Sequence, residues 1–453
     1  MQRPVLFFLH SLGAGRTEWA RVTEVLEPHY ECVALDLPGF GGTLAGDVLG
    51  TAALSEWFAA AVARRAPSCW YAVGHSMGGK IASQVAAHAR DGRQGLAGLS
   101  GVILIAASPP SPEPMEASRR DDMLAWAARG ALARENARTF IADNTTHRLP
   151  EPAFTVAVDE VMRADPIAWT HWLAHGSRED VRAAVGLLRV PALILAGAED
   201  GDLGETNQRA LNVPHYDRAE VAVIEDAAHL IPWEQPHALA QHVMRFVEAT
   251  RAQRLPEPFV ALLNAERVVP KMRSRLLERH AGPYVSAPGV LGTRALQVLA
   301  AVVDRVLDAA DTGMSIARRI DVALAQGAGD GWRFADLPPD AIAWAQGLDA
   351  LDTLAGGFVE QQPAVQDRWL QRIAAGELDD VPVTMLPAPA LARWFEDARA
   401  EIARVWISLP TTFAAIGYDG FAVGGAGAQS PGYDATSADH PDPWQLDGTR
   451  PRR

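Results

Sequence analysis

The chain has 453 residues, of which 48% are hydrophobic and 21% are charged, and this length favours two or three separately folded domains. Its 55 acidic residues outnumber its 41 basic residues, and the net charge of -14 argues against nucleic acid or an anionic membrane as the main partner. No apolar run approaches the roughly 20 residues of a membrane helix, and residues 5–9 are too short for a signal sequence, so we expect a cytoplasmic protein.

Short apolar runs alternate with helical patterns up to about residue 250. A continuous apolar run is typical of a parallel strand that helices cover on both faces. We therefore predict a doubly wound, mostly parallel α/β sheet. The predicted strands are residues 5–9, 32–37, a run that begins at residue 70, 102–106, 191–197 and 221–224, and the predicted helices include 17–26, 52–65, 76–89 and 236–249.

The stretch from about residue 110 to 188 interrupts this alternation. Prolines break regular structure across residues 108–114, and helical periodicity then continues to about residue 188, so we predict a helical lid. Trp126, Trp169 and Trp172 are candidates for lining an acyl or aromatic pocket beneath this lid. The alternative is packing within the lid, which is the more common role of aromatic residues at helical spacing.

The sequence Gly74-His75-Ser76-Met77-Gly78 stands between an apolar run and a helical pattern. This is the setting in which G-x-S-x-G forms a nucleophile elbow, a sharp turn that raises a serine above a sheet edge. Glycine is needed on both sides because the turn brings strand and helix backbones close together. Ser76 would then lie at a helix N-terminus, where free N–H groups stabilise a developing oxyanion.

Two further residues complete a candidate catalytic set. His229 follows the last predicted strand, and Asp200 follows the strand before it, so both side chains would reach the carboxyl edge of the sheet near Ser76. Asp202 is a second candidate for the acid, and we favour Asp200. The chain order serine, aspartate, histidine is the order expected for α/β-hydrolases and differs from that of other serine hydrolases.

Residues 1 to about 250 resemble the α/β-hydrolase superfamily with a helical lid. The elbow and the triad order carry the resemblance, together with His10-Ser11-Leu12 after the first strand, where the superfamily has His-Gly-x. The resemblance implies an oxyanion hole made by the backbone N–H groups of Leu12 and Met77. Ser11 departs from the pattern because it replaces the glycine. His10 and His75 are expected to have structural or supporting roles.

The loop Leu12-x-x-Gly15-Arg16 and the run from Ser76 to Lys80 resemble small-substrate esterases. They equally resemble the menaquinone-pathway enzyme that eliminates pyruvate. The superfamily also contains C–C bond hydrolases, haloperoxidases and oxygenases, so these motifs imply fold and triad without fixing the substrate. No cofactor or metal site is expected in this domain.

The remainder of the chain shows helical periodicity without further strand signals. We predict a hydrolase domain over residues 1–254, a helical linker over 255–284, an all-α domain over 285–423 and a Gly/Pro-rich tail over 424–453. The all-α part resembles the gluconate 2-dehydrogenase subunit 3 family. The residues that carry this resemblance are Asp304, Ile320-Asp321, Gly331-Trp332-Arg333, Gln366-Asp367, Trp394-Phe395 and the run from Ile416 to Phe421.

Members of that second family are helical companions of flavoproteins of the glucose-methanol-choline (GMC) type. The resemblance therefore implies a GMC-type FAD oxidoreductase as a partner, and the FAD would belong to the partner. It implies no catalytic residue in this part of the chain.

Taken together, these patterns predict a serine hydrolase that acts on a carboxylic ester or related small acyl substrate, fused to a helical association module. Two alternatives stay open at this point. One is a C–C bond hydrolase or lyase that uses the same triad. The other is a mainly non-catalytic accessory or assembly subunit of a GMC-type oxidoreductase.

Overall fold

In the computed structural model, which describes residues 3–307, 312–329, 333–378 and 381–418, six strands pair into one parallel sheet. The sheet order is β2-β1-β3-β4-β5-β6, and each neighbouring pair is parallel. This confirms the predicted doubly wound parallel sheet. The strands are β1 (Val5–Leu9), β2 (Glu31–Leu35), β3 (Trp70–His75), β4 (Leu99–Ile105), β5 (Ala192–Gly197) and β6 (Ala219–Ile224).

Strand β1 shows why these runs are apolar at every position. Phe7 and Leu9 belong to the core on one face of the sheet, whereas Leu6 and Phe8 belong to the core on the other face. Successive side chains of a strand point to opposite faces, so a sheet covered on both sides needs apolar residues without alternation.

Helices connect and cover the strands. The carboxyl ends of all six strands lie at one edge of the sheet, where the loops after β1, β3, β5 and β6 begin. The helices that precede β5 are α1 (Ala20–Leu26), α2 (Gly50–Arg65), α3 (Met77–Arg90), α4 (Ala117–Ala127), α5 (Arg134–Asp143), α6 (Glu151–Arg163), α7 (Pro166–Ala174) and α8 (Arg182–Val185). They are followed by α9 (Glu205–Leu211), α10 (Ile231–Glu234), α11 (Pro236–Ala249), α12 (Glu257–Asn264) and α13 (Pro270–Ala281).

The lid comprises helices α4 to α7, and its two ends are held by one buried lysine. Lys80, on α3, donates hydrogen bonds to the carbonyl oxygens of Ser111 at 3.2 Å, Gly176 at 3.1 Å and Glu179 at 2.7 Å. Burial lowers the pKa of this ammonium group to about 8. Since an ammonium group has three N–H donors, the three carbonyl oxygens use all of them.

The chain divides into two units at residue 278. Helix α12 and most of α13 belong to the first unit, which ends at Glu278. Within it, the buried guanidinium of Arg273 donates to the carbonyl oxygens of Gly92 and, at 2.7 Å, of Val268. We retain the predicted domain boundaries, including a linker over residues 255–284, as a proposal.

The second unit comprises Arg279–Tyr418, and the regular elements among its described residues are helices. Its core includes Trp344 and Trp394, whose rings meet edge to face at 6.4 Å. The predicted all-α character is confirmed, although the tail over 424–453, Gly331, Trp332 and residues 419–423 lie outside the described residues. The helices are α14 (Thr293–Leu307), α15 (Gly313–Gln326), α16 (Asp340–Leu354), α17 (Pro363–Ala375), α18 (Ala388–Ile407) and α19 (Pro410–Ile416).

Within the described ranges, no helix has both the length and the apolar character required to cross a membrane. The cytoplasmic location stays a prediction.

The lysine at the base of the lid can be tested by stability. The sequence has two lysines, buried Lys80 and exposed Lys271. We expect Lys80→Met to lower the free energy of unfolding of the first unit by about 2 kcal/mol or more, because it leaves three carbonyl oxygens without a donor. Lys271→Met is the matched control and should change it by less than about 0.5 kcal/mol. Urea unfolding followed by tryptophan fluorescence measures both, and equal stabilities would contradict the anchoring role.

Candidate active site

Ser76 lies at a sharp turn between strand β3 and helix α3. Its backbone has φ 48° and ψ -117°, a conformation that non-glycine residues rarely adopt and that is concentrated at functional sites. A Cβ atom built on Gly74 would lie 2.4 Å from the carbonyl oxygen of Gly78, and one built on Gly78 would lie 2.4 Å from that of Leu9. The two glycines therefore have the steric role that the sequence predicts.

The structure brings together the three residues predicted to form the triad. Ser76 Oγ lies 2.9 Å from Nε2 of His229, and Nδ1 of His229 lies 2.8 Å from Oδ2 of Asp200. Nδ1–H donates to the carboxylate, so Nε2 is left as the acceptor for the serine hydroxyl. This is the arrangement in which a histidine can take a proton from a nucleophile while a carboxylate holds its ring.

Asp200 and Asp202 have different partners. Besides His229, Asp200 accepts hydrogen bonds at Oδ1 from the backbone N–H groups of Leu203, at 2.9 Å, and Asp202, at 3.2 Å. The carboxylate of Asp202 instead forms an ion pair at 2.8 Å with Arg119 on lid helix α4. Of the two candidates, the structure thus places Asp200 against the histidine and Asp202 against the lid.

Ser76, Asp200 and His229 line one cleft. Its wall includes the apolar residues Leu12, Met115, Met123, Phe140, Leu203 and Leu230, and the polar residues Glu113, Arg119 and Asn144.

The three candidate tryptophans have different positions. Trp172 is among the residues that line the cleft. Trp169 is fully buried, and its Nε1–H donates to the carbonyl oxygen of Met123 at 2.9 Å. Trp126 packs, partly buried, against the core. Of the three, the structure therefore places Trp172 in a position to contact substrate and gives the other two packing positions.

A model described as the alpha/beta hydrolase family matches residues 6–242, more than half of the chain. The chain belongs to this family. A second model, described as gluconate 2-dehydrogenase subunit 3, matches residues 293–420. Both resemblances stated from the sequence are confirmed.

Curated relatives match part of this alpha/beta hydrolase. The biotin biosynthesis bifunctional protein BioHC of Cellvibrio japonicus is 27% identical over 254 residues, which are 55% of this chain and 48% of the relative. The pimeloyl-[acyl-carrier protein] methyl ester esterase of Vibrio vulnificus is 35% identical over 108 residues, 24% of this chain and 38% of the relative. The 2-succinyl-6-hydroxy-2,4-cyclohexadiene-1-carboxylate synthase of Serratia proteamaculans is 26% identical over 259 residues, 54% of this chain and 93% of the relative. The chain thus spans less than half the length of the first two.

The predicted oxyanion donors of the hydrolase are Leu12, in the loop after β1, and Met77, which follows Ser76 in the chain. Leu12 lines the same cleft as Ser76. Met77 is the first residue of α3, so its N–H has no acceptor four residues earlier within the helix. Their role as oxyanion donors stays a prediction.

The histidine and the aspartate of the hydrolase site shift each other's ionisation. Burial alone would lower the pKa of His229, but the Asp200 carboxylate more than offsets this and raises the pKa above its ordinary value of 6.5. Burial alone would raise the pKa of Asp200, yet His229 and the Leu203 N–H hold it below the ordinary range. The carboxylate thus stays charged and stabilises the histidine when it carries a second proton.

Two residues of the cleft wall were not predicted from the sequence. Glu113 lies in the proline-rich start of the lid, and burial raises the pKa of its carboxyl group. Arg119 donates to Asn144 at 2.9 Å as well as to Asp202, and the carbonyl oxygen of Asn144 accepts from the N–H of Leu230 at 3.0 Å. One sequence feature could have indicated Glu113 as a site residue: it is the sole charged residue among the prolines of residues 108–114.

His10 has the structural role expected of it. Its Nε2 accepts a hydrogen bond from the backbone N–H of Leu37 at 3.0 Å, and Nδ1 lies 2.7 Å from the carbonyl oxygen of Ser11. Both ring nitrogens are thereby used within the protein. His10 is therefore not available to act as a base.

The two aspartates can be separated by substitution. We expect Asp200→Asn to lower kcat/KM for an aryl ester by about a thousandfold or more, since the histidine loses the group that fixes its tautomer. Asp202→Asn is the matched control, and we expect a loss of less than about tenfold, through a looser lid. The comparison needs kcat/KM for both variants in one buffer. A larger loss in Asp202→Asn would assign the orienting role to Asp202.

The ionisation of His229 determines the expected pH dependence. The base must be neutral, so kcat/KM should fall as the pH drops through the raised pKa of His229, on the high side of 6.5. In Asp200→Asn the effect of burial is no longer opposed by that carboxylate, so the acid limb should move to lower pH. Profiles of kcat/KM from about pH 5 to 9 test this. An acid limb at the same pH in Asp200→Asn and in the wild-type protein would show that Asp200 does not raise the pKa of His229.

Proposed function

We propose that the N-terminal domain is a serine hydrolase that cleaves a carboxylic ester or a related small acyl compound. The observation that carries this proposal is the position of His229, whose two ring nitrogens lie 2.9 Å from Ser76 Oγ and 2.8 Å from Asp200 Oδ2. The match to the alpha/beta hydrolase family and the similarity to a methyl ester esterase support it.

The proposed reaction proceeds in two halves. Ser76 Oγ attacks the substrate carbonyl carbon while its proton passes to Nε2 of His229, and the N–H groups of Leu12 and Met77 stabilise the oxyanion. The imidazolium then gives the proton to the leaving alcohol as the C–O bond breaks, which leaves an acyl group on Ser76. A water molecule then gives a proton to His229 and attacks this acyl group, and the acid is released as Ser76 Oγ takes that proton back from the imidazolium.

The cleft favours a compact, largely apolar acyl group. Met115, Met123 and Phe140 line it beside the triad. Arg119 is already neutralised by Asp202 at 2.8 Å, so the wall offers no uncompensated positive charge from this residue. We therefore propose a substrate whose acyl part does not depend on a carboxylate for recognition.

C–C bond cleavage or elimination with the same triad is the second candidate. It is favoured by the similarity to the synthase of Serratia proteamaculans, which covers 93% of that relative. Both candidates use Ser76 with His229, and they differ in the bond that breaks.

Covalent labelling tests whether Ser76 is an activated nucleophile. We expect the full-length protein to react with a fluorophosphonate probe at Ser76, because His229 can accept the hydroxyl proton. Ser76→Ala should lose labelling and lower turnover at least about ten-thousand-fold with the fold intact, since triad members act as a unit. A folded wild-type protein that is not labelled would favour a non-catalytic role.

A substrate panel separates the two chemistries. Aryl and alkyl esters of increasing acyl length are compared with β-diketones, and Ser76→Ala serves as the blank for each compound. We expect Ser76-dependent turnover of short esters, because Met115, Met123 and Phe140 line the cleft beside the triad. Turnover of β-diketones with inert esters would establish the C–C bond alternative instead.

We further propose that the C-terminal domain binds an FAD-dependent oxidoreductase of the GMC type, with the FAD held by that partner. The match of residues 293–420 to gluconate 2-dehydrogenase subunit 3 supports this association. The helical unit has its own buried core, built around residues such as Leu348 and Trp394, so it can act as a separate docking body.

Co-purification tests the association. The full chain and a chain ending at Glu278, the last residue of the first unit, are each co-expressed with a GMC-type flavoprotein from the same source. We expect the flavin absorbance to co-purify with the full chain and to be lost with the shortened one. Fluorophosphonate labelling of the shortened chain shows that its hydrolase unit is folded. Equal retention by both chains would contradict docking through the helical domain.

A further inference from the structure

A second set of buried polar groups lies behind the triad. Ser11, Glu18 and His75 are 3%, 1% and 0% exposed, respectively. Nδ1 of His75 lies 3.0 Å from Oε1 of Glu18, and Nε2 of His75 lies 2.8 Å from the backbone carbonyl oxygen of His229. The triad mechanism uses none of these side chains, and buried polar groups of this kind are retained at a cost in desolvation.

Both nitrogens of His75 face acceptors. A carbonyl oxygen can only accept, so Nε2 carries the hydrogen that it donates to His229, and the Glu18 carboxylate accepts from Nδ1. Burial would raise the pKa of Glu18, but the neighbouring His75 and the Ser11 hydroxyl lower it below the ordinary range, so the group is a carboxylate. His75 and Glu18 therefore form a buried hydrogen-bonded pair that ends on the backbone of His229.

The same carboxylate also holds the loop after β1. The backbone N–H of Ser11 donates to Oε2 of Glu18 at 3.1 Å, and the Ser11 hydroxyl donates to Oε1 at 2.7 Å. Leu12, the predicted oxyanion donor, is the next residue along the chain. Ser11 stands where the family resemblance expects glycine, and a glycine would offer the N–H bond without the hydroxyl bond.

The groups packed around His75 leave it little freedom. Its ring meets the buried indole of Trp19 edge to face at 6.3 Å and lies 5.2 Å from the ring of His229. The charged and titratable neighbours are Glu18 on one side and His229 on the other, with Asp200 and His10 close enough to interact electrostatically with the pair.

We propose that Glu18 and His75 are positioning residues of the hydrolase, which together fix the backbone of the catalytic base and the loop that carries the oxyanion donor, and that the hydroxyl of Ser11 strengthens this connection. The inference rests on the proposed function. One carboxylate thereby sets the distance between the two parts of the site that must act on the same carbonyl group. Neither residue needs to touch substrate for this effect.

Kinetics of the full-length protein on a Ser76-dependent ester test the proposal. We expect Glu18→Leu to lower kcat about 10- to 100-fold with KM changed by less than about threefold, because a small displacement of catalytic groups reduces turnover steeply. Glu18→Gln should retain more activity than Glu18→Leu, since its amide can accept from Ser11 and donate to a neutral His75. His75→Leu should resemble Glu18→Leu.

Ser11→Ala removes the hydroxyl alone, and we expect kcat to fall about three- to tenfold. Ser83→Ala is the matched control: Ser83 is fully buried and hydrogen-bonded to Tyr216 at 2.9 Å, outside this network. Ser83→Ala should lower the free energy of unfolding without lowering kcat. Fluorophosphonate titration counts the folded, reactive sites in each preparation, so that kcat is expressed per reactive Ser76.

The outcomes are distinguishable. Activity that persists in Ser76→Ala overturns the proposed function, and the positioning role with it. Ser76-dependent activity that is unchanged per reactive site in Glu18→Leu and His75→Leu overturns the positioning role alone. A loss of kcat in Ser83→Ala equal to that in Ser11→Ala would show a general effect of destabilisation and would also overturn it.

Discussion

The close approach of helix α3 to strands β1 and β3 is the constraint on which the site depends. A Cβ atom at Gly74 or Gly78 would lie 2.4 Å from a backbone oxygen atom, so this contact requires glycine at both positions. It places Ser76 at a positive φ, above the carboxyl edge of the sheet. The loops after β5 and β6 end at the same edge because the sheet is parallel, and they bring Asp200 and His229 to the serine.

Polar contacts join the lid to the two loops that carry Asp200 and His229. Arg119 on α4 is paired with Asp202, two residues after the acid that faces His229. It also donates to Asn144, whose carbonyl oxygen accepts from Leu230, the residue after His229. A displacement of α4 would therefore shift the hydrogen-bond partners of both loops, the one that carries Asp200 and the one that carries His229. These contacts link the position of the lid to the loops that carry Asp200 and His229, in addition to the cover that the lid gives the cleft.

Backbone carbonyl oxygens are the main partners of the deeply buried cations. Lys80 and Arg273 each donate to several of them. A buried cation is costly unless all its donors are used. Each of these residues thus holds together chain segments that are distant in the sequence. Lys80 joins the two ends of the lid. Arg273 joins the loop at Gly92 to the connection between α12 and α13.

By itself, the sequence determined the parallel sheet, the lid, the helical second unit and the order of Ser76, Asp200 and His229. Local patterns carry this information, since glycine spacing, apolar runs and strand–loop–helix order are properties of neighbouring residues. Only the tertiary structure placed Asp200 against His229 and Asp202 against Arg119, placed Trp172 at the cleft with Trp169 in the core, and joined Ser11 and Glu18 to His75. These outcomes depend on contacts between residues that are far apart in the sequence, such as Glu18 and His75, which are 57 positions apart. They also depend on side-chain direction, which the spacing of residues along the chain does not specify.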